Sequence, residues 1–228
     1  MPSLARKLVA SAWRRRPWRR EPPLLGEQLL AHISEYKILG ERGFYIECGA
    51  FDGVAASNTL RLERMGWRGL LVEPSEPVMA ICRQTRAADN IFEQCALVSD
   101  STVQTVSGDF DGHPLSSVDG KRRGSTASVS VAARTLQSIL DAHGISQVDF
   151  FSLDVEGSEL DVLRGLDFAR NPPTVVVIEV YEEDQREIFA LMAGAGYAEP
   201  VAMTHFGYWT HAYWDGHNDF LFVWKGGV

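Results

Sequence analysis

Long apolar runs are missing from this chain. Runs such as residues 175–178 fall far short of the roughly 20 residues that a membrane-spanning helix needs, so none is expected. Cysteine is scarce: Cys48, Cys82 and Cys95 cannot all pair and show no CxxC spacing. That argues against a disulfide scaffold or a structural zinc site and fits a reducing, cytoplasmic compartment. Twenty glycines and ten prolines are too few for a fibrous or low-complexity chain, and no internal repeat is visible. What is present is ordinary for a globular protein, 45% hydrophobic and 23% charged residues over 228 positions. A single core of that length needs no staples.

Acidic residues are missing from the first twenty positions, which hold Arg6, Lys7, Arg14, Arg15, Arg16, Arg19 and Arg20. The whole chain carries −8, from 22 basic and 30 acidic residues; without those seven basic residues the remainder stands at −15. An acidic body is a poor non-specific binder of nucleic acid, so no nucleic-acid partner is expected. Residues 1–23 read as a basic tail and 24–228 as one folded domain, with Pro17, Pro22 and Pro23 at the junction. The tail has two readings, a solvated segment or a peripheral contact of residues 1–20 with an anionic membrane surface, with Leu4, Leu8, Trp13 and Trp18 as its apolar side. It lacks the apolar stretch of a signal peptide.

Helical spacing at Leu25, Leu29, Leu30, Ile33 and Ile38 predicts a helix over 24–38. Strands are predicted at 44–46, 70–72, 91–98, 148–153 and 175–180, and helices at 57–65, 77–86, 135–142 and 184–193, the third with Thr135 as cap. Residues 107–126, rich in Gly, Ser and Asp, predict a loop. The end, 196–223, suits an antiparallel pair of strands at a sheet edge. This alternation predicts an α/β fold with a mostly parallel sheet wrapped by helices on both faces. Ligands of such sheets sit beyond the carboxyl ends of the strands, at the switch point.

The first predicted strand runs into Glu47-Cys48-Gly49-Ala50-Phe51-Asp52-Gly53, and the second ends in Glu73-Pro74, twenty residues past Gly53. Gly49 and Gly53 permit a tight turn and close approach of a ligand. An acid at the position of Glu73 can accept both ribose hydroxyls, although a surface carboxylate is the plain alternative. Two carboxylates in the loop, Glu47 and Asp52, would repel a pyrophosphate but welcome the ammonium and sulfonium charges of S-adenosylmethionine (SAM). The carboxylate of SAM could meet amides and side chains near Ser57-Asn58-Thr59. The loop therefore favours SAM over a nicotinamide dinucleotide.

The stretches YIECGAFDGVAASNTLRLE, GWRGLLVEPSEP, ARTLQSIL and VDFFSLDVEGSELDVLRGLDF, in that order, resemble the FkbM-type methyltransferases over about residues 43–182. The resemblance implies a class I, Rossmann-like methyltransferase with a seven-stranded sheet and a C-terminal antiparallel hairpin. It also implies SAM as cofactor and methylation of hydroxyl oxygens, often on sugars, glycolipids or polyketides. By the resemblance, Glu47, Gly49 and Gly53 form the SAM loop, Glu73 holds the ribose, Ala96 falls in the adenine region, and Asp154, Glu156 and Gly157 form a DVEG motif. The segment 107–126, expected at the acceptor pocket, matches no family motif.

Methyl transfer to a hydroxyl needs a general base or a metal that lowers the hydroxyl pKa. Asp154, Glu156 and Glu179 are the predicted strand-end acids. Asp154 and Glu179 are the first candidate ligands for Mg²⁺ or Mn²⁺, with a metal-free base, Asp154 or a histidine, as the competing reading. His217 precedes the last strand and could act as base; His32 and His143 suit helix surfaces. Trp209 and Trp214 could stack on a sugar or simply pack, beside His205, His211, Tyr208 and Tyr213. His113-Pro114 and Lys121-Arg122-Arg123 could attract an anionic acceptor group or form a solvated loop tip. The acceptor is expected to be a small molecule or glycan. Methylation of a natural product or lipid, and a non-catalytic SAM-binding subunit, are the alternatives.

Overall fold

A computed structural model describes residues 42–120, 122, 124–126, 128–204 and 216–227. The predicted tail and first helix (1–38, with His32), Lys121, Arg123 and the aromatic segment 205–215 lie outside the described residues. Among the described residues no helix is long and apolar enough to cross a membrane.

The elements are β1 (Phe44–Cys48), α1 (Leu60–Arg64), β2 (Arg68–Val72), α2 (Glu76–Thr85), β3 (Ile91–Glu93), β4 (Ala96–Leu97), β5 (Thr105–Gly108) and β6 (Val129–Arg134). There follow α3 (Leu136–His143), β7 (Phe150–Leu153), α4 (Glu159–Arg164), β8 (Val175–Tyr181), α5 (Gln185–Gly194), β9 (Val201–Ala202) and β10 (His217–Val223). The main sheet has the order β3-β2-β1-β7-β8-β10-β9. Its first five strands are parallel. β10 returns antiparallel to β8, from His217 opposite Tyr181 to Val223 opposite Val175, and β9 pairs antiparallel to β10. This is the mostly parallel sheet that the alternation predicts, in the Rossmann-like class I methyltransferase arrangement, with its C-terminal antiparallel hairpin, that the resemblance implies. The strand order reverses direction between β1 and β7, which makes their carboxyl ends the switch point.

Alternation of side chains along each strand feeds two cores, one on each face of the sheet. Ile46, Leu70, Phe151, Val176 and Ile178 pack into one; Tyr45, Leu71, Phe150, Val175 and Val177 pack into the other. All seven residues of β8 are buried, as expected for a strand covered on both faces. Thr135 caps α3, its Oγ1 accepting from the Ser138 amide at 3.2 Å, and Gly144 ends the helix at φ +65°.

One expected strand is two. The predicted strand 91–98 splits after Glu93, and β4 leaves the main sheet to pair with β6, which with β5 makes a small second sheet of order β4-β6-β5. Glu93 stands at the break, bonded to Arg134 of β6 at 3.1 Å and to His143 of α3 at 2.6 Å. The predicted loop 107–126 therefore starts inside a strand. It then doubles back, with Gly108 bridging Val118 and Asp109 Oδ1 accepting from the Ser117 amide at 2.7 Å. Its residues 110–118 lie across the carboxyl ends of the main sheet.

Candidate active site

The loop after β1 is shaped by backbone conformations that few side chains tolerate. Gly49 has φ +82°, and a Cβ there would stand 1.7 Å from the Asp154 carbonyl oxygen. Phe51 and Ala56 also have positive φ, at 47° and 57°. What holds this loop is Glu47. Its Oε1 accepts from the Asn58 amide (3.0 Å), and its Oε2 accepts from Ser57 Oγ (3.0 Å), Thr59 Oγ1 (2.7 Å) and Arg86 Nη1 (2.9 Å). Asp52 turns onto its own loop, Oδ1 accepting from the amides of Val54 and Ala55 at 2.9 and 2.7 Å.

The cleft beyond the strand ends is lined by Glu47, Gly49, Ala50, Ser57, Glu73, Pro74, Ala96, Asp154 and Glu156 of the predicted set. Asp52, Gly53 and Asn58 do not line it. Asp52 is engaged in its own turn, Gly53 faces Arg86, and the Asn58 amide group donates to Ser152 Oγ at 2.8 Å. Both loop carboxylates accept from the loop itself, Glu47 while also lining the cleft and Asp52 away from it. The other wall comes from Cys95, Leu97, Phe110, His113, Pro114, Ser116 and Val118. Of these, only His113, Pro114 and Cys95 stood out in the sequence. Phe110 and Ser116 were hidden because a polar loop gives no periodicity to mark a buried side. Free interior volume is small, about 90 Å³.

Glu73 is buried at the end of β2, its Oε2 accepting from the Phe51 amide at 3.1 Å and its Oε1 from the Ser75 amide at 2.8 Å. Burial pushes its carboxyl up to about 7, against the pull of those two amides. Cys48 is buried, and burial pushes its thiol up, which disfavours the thiolate.

At the other end of the cleft, ligand oxygens of Asp154, Glu156 and Glu179 lie within 4.8 Å of one another. Glu179 comes from β8, whereas Asp154 and Glu156 come from a turn that holds Glu156 in a strained φ of +60°, followed by Gly157 at φ +100°. Glu159, buried, holds it by accepting from the Val155 amide at 2.9 Å and the Gly157 amide at 3.1 Å. Burial pushes Glu159 up to about 7. The Tyr181 hydroxyl donates to Glu156 Oε2 at 3.1 Å, and its ring meets the edge of His217 at 5.4 Å. His217 Nε2 stands 3.3 Å from Glu179 Oε1. Glu179 Oε2 is buried with no hydrogen-bond partner among the described residues. Burial, then repulsion from Asp154, Glu156, Glu159 and Asp219, holds Glu179 well above the usual carboxylate range.

Arg122 comes from the long loop. Its guanidinium lies 3.2 Å from the centre of the Tyr181 ring, and Nε donates to the Glu156 carbonyl at 3.2 Å. It also walls a second cavity of about 680 Å³, which shares Val118, Glu156 and Ser158 with the first cleft. Five carboxylates (Asp119, Glu156, Asp161, Glu183, Asp184) and two guanidinia (Arg122, Arg164) line this cavity.

No curated protein matches the chain significantly. Among solved structures, an O-methyltransferase from Bacillus cereus in complex with SAH is 17% identical, with 99% of this chain and 93% of that one covered and a TM-score of 0.50. A TehB-like SAM-dependent methyltransferase from Corynebacterium glutamicum is 10% identical, with 96% and 97% covered and a TM-score of 0.48. At 17% identity the Bacillus cereus structure speaks to the fold alone. The model of the FkbM methyltransferase domain matches residues 47–198, from the Glu47 carboxylate under the loop to the turn after α5. Sheet order, strand-end acids and that match agree: the chain belongs to the FkbM methyltransferase family and is a SAM-dependent methyltransferase.

Proposed function

We propose that the enzyme transfers the methyl group of SAM to a hydroxyl oxygen of an uncharged, polyhydroxylated acceptor, such as a sugar of a glycan, glycolipid or glycosylated metabolite. The observation that carries this reading is the junction: Glu156 walls both the cofactor cleft and the 680 Å³ cavity, with Asp154 beside it in the cleft. In the cleft, Glu73 receives the ribose hydroxyls, and the apolar wall of Ala96, Leu97 and Phe110 takes the adenine. Ala50, Ser57 and Pro74 complete the seat. The second cavity takes the acceptor. Its carboxylates accept hydrogen bonds from sugar hydroxyls, and their excess over the guanidinia disfavours phosphate or carboxylate groups. Arg164 is already paired with Glu187 at 2.8 Å. Nucleic acid is disfavoured for the same reason.

The displacement is in line: the acceptor oxygen bonds to the methyl carbon as the carbon–sulfur bond breaks, and the hydroxyl proton leaves to a base. Asp154 is that base, and Glu156, fixed by Tyr181, orients the acceptor hydroxyl toward it. His217, with Nε2 3.3 Å from Glu179 Oε1, orients that acid beside Asp154 and Glu156. The same acids fit a divalent cation, because all are hard oxygen donors and the buried Glu179 Oε2 lacks a partner among the described residues. Asp154, Glu156 and Glu179 would hold Mg²⁺ or Mn²⁺, which would acidify the bound hydroxyl. We infer a cytoplasmic location from the scarcity of cysteine, and a peripheral contact of residues 1–20 with anionic lipid from their seven basic residues.

The test is transfer of a labelled methyl group from SAM to a panel of neutral glycosides, amino sugars and sugar phosphates. Asp154→Asn should cut turnover by about 10²–10⁴-fold with SAH affinity kept, and Glu179→Gln should abolish any Mg²⁺ stimulation. Transfer to nitrogen, to sugar phosphates alone or to RNA would overturn the acceptor reading.

A further inference from the structure

Arg86 is the one basic side chain buried among the described residues, and it follows directly on the last turn of α2. Its side chain has no solvent exposure. Nη1 donates to Glu47 Oε2 (2.9 Å), to the Gly53 carbonyl (3.2 Å) and to Ser57 Oγ (3.2 Å). Nη2 donates to the Tyr45 hydroxyl (2.8 Å) and Thr59 Oγ1 (2.9 Å), and Nε to Glu63 Oε2 (2.9 Å). Its neighbour Thr85 donates Oγ1–H to the Asp52 carbonyl at 2.6 Å. The end of α2 thus grips two successive carbonyls in the middle of the cofactor loop, while the guanidinium ties down β1, α1 and the stretch 57–59.

We propose that Arg86 is the positioning residue of the cofactor loop. It touches no cofactor and sets cofactor affinity through Glu47 and through the turn at Gly53. The assignment rests on the SAM reading of the cleft.

Two physical arguments carry it. The first is electrostatic. Glu47 is 4% exposed at the root of a loop that must receive the charged end of the cofactor. Without a cation in contact it would be an uncompensated buried charge, and would protonate or pull the loop open toward water. Only a guanidinium supplies donors to two carboxylates, a carbonyl and three hydroxyls at once; a lysine offers three donors from a single point. The second is mechanical. The Gly53 amide donates to the Ala50 carbonyl at 2.9 Å, closing the turn that aims the Phe51 amide at Glu73. Arg86 holds the carbonyl of that same Gly53. Its grip is therefore transmitted to the carboxylate assigned to the ribose, across the loop from Glu47.

The experiment is SAH calorimetry on the full chain bearing Arg86→Met, Arg86→Lys, Glu47→Gln and the double substitution Arg86→Met/Glu47→Gln. Met192→Ala, a cavity in the core under α5 and away from the cleft, serves as a control for lost stability. Arg86→Met is expected to weaken SAH binding at least tenfold. Arg86→Lys should recover part of that loss, and the double variant should bind no worse than Arg86→Met alone, because the two residues act as one unit. In turnover, KM for SAM should rise with kcat at saturating SAM kept within about threefold. Should Arg86→Met not fold, Arg86→Lys carries the comparison. Binding unchanged in a folded Arg86 variant would overturn the assignment alone, as would an equal loss in Met192→Ala. Absence of SAH binding by the unsubstituted chain would overturn the cofactor reading and this assignment together.

Discussion

Glu73 gives the most quantitative prediction. Its two oxygens already accept from the Phe51 and Ser75 amides. A ribose diol donating to the same oxygens needs their remaining lone pairs, which the ionised carboxylate has and the protonated carboxyl lacks in part. In the ligand-free enzyme burial pushes Glu73 up to about 7. Binding must therefore expel a proton at lower pH. SAH affinity should be flat above about pH 8, half its maximum near pH 7, and about tenfold weaker at pH 6. Calorimetry in two buffers of different ionisation enthalpy should show about half a proton released per SAH at pH 7. Glu73→Gln provides the control. Its amide nitrogen must face one of two backbone donors, so affinity should fall by about 10–100-fold, roughly 1.4–3 kcal/mol. The remaining pH dependence near 7 should vanish with it. Affinity that is flat between pH 6 and 8 in the unsubstituted enzyme, with no proton released, would refute the assignment of Glu73 as the ribose acceptor.

Gly49→Ala should abolish SAH binding and cost at least ~2 kcal/mol of stability in urea unfolding, because its Cβ would collide with the Asp154 carbonyl. Gly66→Ala, at φ +96° with open space around it, should cost only about 1–2 kcal/mol of backbone strain and leave binding intact. Equal effects of the two would show that backbone conformation, not close approach, fixes Gly49. Stability should also depend on pH. Glu73 and Glu159 are raised to about 7 from an unfolded value near 4.5, so the folded chain holds protons that the unfolded chain has released. Unfolding free energy should fall as pH rises from about 4.5 to 7, by up to about 3 kcal/mol for each group, and level off above. Urea midpoints that rise over that window would contradict the burial of these carboxyls.

The sheet was legible because its strands are short apolar runs punctuated by acids, and the parallel order follows from their alternation with amphipathic stretches. Gly49, Glu73, Asp154 and Glu179 could be placed at strand ends for the same reason. The second sheet was not legible. The stretch 91–98 is apolar on both sides of Glu93-Gln94, and Glu93 pairs at the break with Arg134 and His143, 41 and 50 residues away. Arg86 escaped notice because an arginine at a helix end ordinarily faces water, and its partners at 45, 47, 57, 59 and 63 become neighbours only once β1 and α1 are in place.

The acids of the site show what a sequence pattern leaves undecided. Glu47, Asp52, Glu73, Glu159 and Glu179 are alike on paper: carboxylates beside glycines or at strand ends. The fold sorts them by how much of their accepting capacity the chain itself consumes. Glu47 takes four donors, Asp52 two from its own turn, and Glu159 the amides of the DVEG turn. These three shape the walls. Glu73 takes one amide on each oxygen and retains lone pairs, while Glu179 has an oxygen that no described residue meets. A carboxylate whose donors come from its own loop is spoken for before any ligand arrives. One that is buried with accepting capacity left over can meet hydroxyls, a proton or a cation. That difference, rather than proximity to a glycine-rich motif, separates the acids that build this site from those available for its chemistry.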